Sequence, residues 1–88
     1  MYFKIKEQRL DNGRVKETYI NTKLDVETVF EVNEAIEACC DFSLYDCFRK
    51  AYTKAWKKLL DILETETDDF KALDMTSIIM AHARLEAS

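Results

Sequence analysis

Eighty-eight residues, of which 48% are apolar, leave room for one modest hydrophobic core and no second one. A net charge of −4 argues against general affinity for nucleic acid, because a phosphate backbone would be repelled everywhere except at a local basic patch. No apolar run approaches the roughly eighteen residues of a membrane span, which excludes a transmembrane helix. Met1-Tyr2-Phe3-Lys4 lacks the apolar stretch of a signal peptide, and three cysteines, two of them adjacent at Cys39 and Cys40, do not form a disulfide framework. A cytoplasmic protein with reduced thiols is the expectation. A single glycine, Gly13, and no proline imply long regular elements joined by short connections in one domain.

Two segments rich in β-branched and aromatic residues, about 2–10 and 14–22, flank Asp11-Asn12-Gly13. Asn12 and Gly13 tolerate positive φ, so they predict a two-residue hairpin turn. That turn sets Leu10 opposite Val15, Ile5 opposite Ile20 and Phe3 opposite Thr22, with an apolar end at Phe3, Ile5 and Ile20. A three-residue turn with Gly13 in a bulge would shift the pairing by one. A hairpin alone is only marginally stable, so it must pack on helices or gain strands from another chain.

The first helix is predicted over about 25–41, with Thr22 as a candidate N-cap. At 100° per residue Val29, Val32, Ile36, Cys39 and Cys40 cluster on one side, and Glu27, Glu31, Glu34 and Asp41 on the other. The second helix is predicted over about 44–64, opened by Ser43-Leu44-Tyr45-Asp46 in the manner of a capping box. Its apolar stripe is Leu44, Phe48, Tyr52, Ala55, Leu59 and Leu63. Acids at its end, Asp61, Glu64 and Glu66, oppose the helix dipole, so that end should fray or pair with bases.

Thr67-Asp68-Asp69 predicts a third helix over about 68–86, capped by Thr67. Phe70, Leu73, Ile78, Ala81 and Leu85 make one face, while Met75, Ile79 and Met80 spread apolar surface around the rest. A break near 74–77 is the alternative. The fold class is therefore α+β, an N-terminal antiparallel hairpin packed on three helices.

Candidate chemistry is sparse. Cys39, Cys40, Cys47 and His82 could supply four zinc ligands, but they lack the Cys-x-x-Cys knuckle, and adjacent cysteines on a helix point about 100° apart. Buried, inert cysteines are the expectation, with no metal and no cofactor. One glycine permits no phosphate-binding loop, and a Gly-x-Ser-x-Gly elbow is absent. The carboxylates of the first helix read as solvated acids before they read as a catalytic pair. No enzyme is expected.

What stands out is charge sorted by sign. Leu24 to Phe48 holds seven acids and no Lys or Arg; Arg49 to Lys58 holds five bases and no acid; Leu59 to Phe70 holds five acids and no base. Blocks of this kind create local fields that steer and select partners. Three surfaces follow. Glu27, Glu31, Glu34 and Asp41 form an acidic ridge roughly 20 Å long at 1.5 Å per residue, suited to a basic surface of a partner protein. Arg49, Lys50, Lys54, Trp56, Lys57 and Lys58 offer bases interleaved with an aromatic ring, which reads as an ordinary solvated face with Trp56 against the hairpin, a protein-binding basic patch or a nucleic-acid face. Met75, Ile78, Ile79 and Leu85 carry more apolar surface than a small core covers, a candidate self-interface for a homodimer or a larger assembly.

In size, acidity, lack of catalytic machinery and ββ-plus-helices pattern, the chain is similar in type to small inhibitors encoded by phages and mobile elements, including anti-CRISPR proteins. That similarity implies a non-enzymatic inhibitor or modulator acting by protein binding.

Overall fold

The computed structural model describes residues 2–88, the side chains at positions 2, 3, 5, 6 and 20 excepted. An antiparallel hairpin of β1 (Tyr2–Arg9) and β2 (Val15–Asn21) precedes three helices, α1 (Val26–Phe42), α2 (Asp46–Thr65) and α3 (Asp69–Ala87). The architecture is α+β.

The hairpin closes differently from the two-residue expectation. Leu10 N–H donates to the Arg14 carbonyl at 2.8 Å, Gly13 N–H donates to the Leu10 carbonyl at 3.1 Å, and Gly13 takes a φ of +80°. This is a three-residue loop ending in a glycine bulge, with Asn12 Oδ1 accepting from Arg14 N–H at 3.0 Å. The pairing is accordingly shifted, so that Arg9 and not Leu10 lies opposite Val15. A second irregularity between Lys4 and Lys6 shifts it again and sets Phe3, in place of Ile5, opposite Ile20. Phe3 therefore does not face Thr22. The predicted apolar end of Phe3, Ile5 and Ile20 falls on side chains outside the described residues.

The helices form an up-down-up bundle joined by connections of three residues each, 43–45 and 66–68. Antiparallel neighbours follow from connections this short, and α1 then runs parallel to α3. Two contacts fix that pairing at its ends. Asp25 N–H donates to Asp69 Oδ1 at 2.9 Å where both helices begin, and the Cys39 thiol donates to Met80 Sδ at 3.5 Å in the buried interior.

Leu24 from the hairpin–α1 connection joins Val29, Val32, Ile36 and Cys39 of α1, Tyr52, Ala55, Leu59, Ile62 and Leu63 of α2, and Ala72, Met80 and Ala83 of α3 in the core. Each fully buried aliphatic side chain there contributes about 1.5–3 kcal/mol. At the α1–α2 turn Phe42 stacks on Tyr52 with ring centroids 4.8 Å apart, and Phe48 meets both rings edge-on at 6.1–6.2 Å. The hairpin leans on the bundle mainly through β2 against α2, giving a flat molecule of 40 × 34 × 16 Å.

The capping chemistry departs from expectation at every helix start. Asp25, not Thr22, is the N-cap of α1, and Thr22 Oγ1 instead accepts from Leu24 N–H at 3.2 Å. Ser43 ends α1, its hydroxyl donating to the Cys40 carbonyl at 2.8 Å; α2 begins three residues later with Tyr45 as N-cap and no side-chain cap. Leu44 thus lies outside α2 and is 77% exposed. Asp68, not Thr67, caps α3, accepting from Lys71 N–H at 3.2 Å. Glu66 does not fray the end of α2; its carboxylate accepts from the amides of Thr67 and Asp68 at 3.1 and 3.2 Å, turning the chain into α3.

α3 is one continuous helix as predicted, without the alternative break near 74–77, and the correction lies in which of its residues are buried. Its buried face is Ala72, Thr76, Met80 and Ala83, not the bulky stripe, and Phe70, Ile78 and Leu85 are 83%, 56% and 72% exposed. Small side chains let α3 approach α1 and α2 closely, which fixes its rotation and turns the large residues outward. Thr76 satisfies its buried hydroxyl by donating to the Ala72 carbonyl at 2.8 Å.

Candidate functional site

α1 is held by its apolar stripe, and that stripe dictates what faces water. With Thr28, Val29, Val32, Ile36 and Cys39 buried, Glu27, Glu31, Glu34 and Asp41 are all exposed on the opposite side. Phe30, 54% exposed, stands among them, one turn from Glu27 on one side and from Glu34 on the other. The ion pairs of the described residues are Lys4–Glu7, Arg49–Asp46 and Lys54–Glu86, so none of the four ridge carboxylates is in a salt bridge with a described base. Glu37, beside the ridge, contacts only the Asn33 amide at 3.5 Å among the hydrogen bonds resolved.

The bases of α2 do not neutralise this ridge. Arg49 pairs with Asp46 at 2.8 Å and also donates from Nε to the Ser43 carbonyl at 3.3 Å, closing the α1–α2 turn. Lys54 reaches Glu86 of α3 at 3.6 Å. Lys57 and Lys58 project on the α3 side of α2, and Lys50 is exposed on the same half of the helix. Trp56 does not join them. It is half-buried on the hairpin side, lining a groove of about 450 Å³ with Thr18, Ile36 and Leu60, and the ridge acid Asp41 and its neighbour Glu37 line the same groove. The aromatic and the lysines of the predicted basic patch therefore open in different directions.

On the far side of α2, Lys57, Lys58 and Asp61 rim a groove of about 520 Å³ whose apolar surface comes from Ile62, Met75, Ile78 and Ile79. Three of the four candidate self-interface residues meet here. Leu85, two turns beyond Ile78 on the outer face of α3, does not line the groove.

The cysteines are dispersed. Cys39 is buried beside Met80, and burial pushes its thiol up to about 11; Cys40 and Cys47 are exposed, and so is His82 on α3. Among the described residues no group of three or more His, Cys, Asp or Glu side chains could hold a metal ion. The acid pair Asp25 and Asp69 sits where α1 and α3 begin and serves the fold. The neighbouring Asp69 carboxylate raises the Asp25 carboxyl, while the Asp25 amide and the Thr28 hydroxyl lower that of Asp69. Among the described residues no helix is long and apolar enough to cross a membrane.

No protein family model, curated protein or solved structure matches this chain. Sequence periodicity could locate the ridge; it could not locate the α2–α3 groove, which depends on the rotation of α3.

Proposed function

We propose that the protein is a non-enzymatic binding module whose α1 ridge engages a basic surface of a partner protein, acting as a small inhibitor or modulator of the phage and mobile-element type. The observation that carries this reading is the exposure of Glu27, Glu31, Glu34 and Asp41 on one helix face, in salt bridges with no described base. Folding does not require that arrangement. Only Glu27, in the first turn of α1, benefits from the helix dipole, whereas Asp41 in the last turn opposes it. Uncompensated like charge along a rigid helix is the arrangement that accelerates encounter with an opposite charge, and Phe30 supplies an apolar contact near the N-terminal end of the ridge. The bundle holds the ridge in place from behind, so little ordering entropy opposes binding.

The test is comparative capture from the source cell at low salt, with wild type, Glu31→Lys with Glu34→Lys, and Lys50→Gln with Lys57→Gln as bait. A basic protein retained by wild type and the lysine variant but lost with the ridge variant is the expected outcome. Retention lost with the lysine variant alone, together with a mobility shift of oligonucleotides at low salt, would transfer the function to α2 and nucleic acid.

A further inference from the structure

The apolar groove between α2 and α3 and the ridge on α1 are complementary in both charge and polarity. We infer that the groove receives the α1 ridge of a second copy of this chain, in a head-to-tail contact that masks the partner-binding face when no partner is present. The inference rests on the reading of the ridge as a docking face.

The groove has the surface that an acidic amphipathic helix needs. Ile62 is buried at its base, Met75 and Ile78 stay 40% and 56% exposed along its wall, and Ile79 is half-buried beside them. Lys57 and Lys58 line it with a single acid, Asp61, and neither lysine is in a salt bridge with a described acid. The ridge offers the converse, an exposed aromatic ring at Phe30 bracketed by Glu27, Glu31 and Glu34. Phenylalanine in an apolar groove with acid–lysine pairs around it is the arrangement of an interface core with a charged rim.

Charge also decides against the simpler twofold arrangement. Setting groove against groove would bring Lys57 and Lys58 of both copies together around the axis, and ridge against ridge would do the same for the acids. Ridge against groove is the pairing in which both charge and apolar surface match. Such a contact is heterologous, so a pair of copies keeps one free ridge and one free groove, and further copies add until every internal ridge is covered. A basic partner binding the ridge competes directly with self-association.

Sedimentation velocity from 10 to 500 μM protein, at 50 and 500 mM salt, tests this with two variants whose circular dichroism matches wild type. One is Glu31→Lys with Glu34→Lys, which makes the ridge basic; the other is Lys57→Glu with Lys58→Glu, which makes the groove acidic. The expected result is wild-type association at least tenfold weaker in high salt, each variant alone associating at least tenfold more weakly than wild type, and recovered association in their equimolar mixture. Monomeric wild type across the range at low salt would overturn the inference, as would a mixture no more associated than its components. The groove variant retaining the captured partner while losing self-association would leave the ridge reading intact and separates the two claims.

Discussion

The amide of Asp25 donates to the carboxylate of Asp69 across 44 residues of sequence, and this bond joins the first turns of α1 and α3. The two carboxyl groups are pushed in opposite directions by the contact, Asp25 upward by its side-chain hydrogen bond to Asp69 and then by that carboxylate's charge, and Asp69 downward by the Asp25 amide and by Thr28. Asp69 therefore stabilises the fold above its ordinary carboxyl range and loses that contribution as pH falls through its lowered value. Asp25 works the other way. Its contribution is present below its ordinary range and lost as pH rises through its raised value.

Asp25→Asn should remove the repulsion and keep a good N-cap. The melting temperature is expected to rise relative to wild type at pH 7 and to match it below pH 4. Equal melting curves at both pH values would show that the carboxylate pair exerts no repulsion.

The core and the exposed face of α3 should respond very differently to truncation. Leu59→Ala empties a fully buried site at the centre of α2 and should cost about 3 kcal/mol in denaturant unfolding. Leu85→Ala, on the outer face of α3, should stay within about 0.5 kcal/mol under dilute conditions. A large loss at Leu85 would mean that this face is covered in solution.

Much of this was legible in the sequence, and the failures share a cause. The ridge emerged because apolar residues of α1 repeat at helical spacing with acids opposite, so periodicity alone assigns both faces. For α3 periodicity misled, since the contact is made by Ala72, Thr76 and Ala83, which carry little hydrophobic weight, while Phe70, Ile78 and Leu85 dominate any count. Ser43 suits either the end of one helix or the start of the next, and only the bundle geometry assigns it to α1. Asn12-Gly13 is equally compatible with a two-residue turn and with the bulged three-residue loop, since both place glycine at positive φ.

Gly13→Ala tests that loop. Its Cβ would meet open space, so the expected cost, about 1 kcal/mol, comes from the positive φ alone. Because the hairpin touches the bundle mainly through β2, amide exchange should quicken in β1 and β2 while the helices keep wild-type protection. Uniformly faster exchange would instead show the hairpin to be integral to global stability.

Thiol labelling under native conditions should divide the cysteines two to one. Cys40 and Cys47 are exposed and should be alkylated within minutes at pH 8, while Cys39, buried and with its thiol pushed up to about 11, should react only on unfolding. Mass spectrometry of the partially labelled protein reads this directly. Rapid modification of Cys39 would contradict the packing of α1 on α3.

The central claim is that recognition runs through the acidic face of α1. Its most direct test is the association rate constant with the captured partner as a function of ionic strength, for wild type and for Glu31→Lys with Glu34→Lys. The wild-type rate should fall steeply with salt, and the variant should associate at least tenfold more slowly at low salt with a flattened or inverted dependence. Identical rates and identical salt dependence for the two proteins would place recognition elsewhere on the molecule.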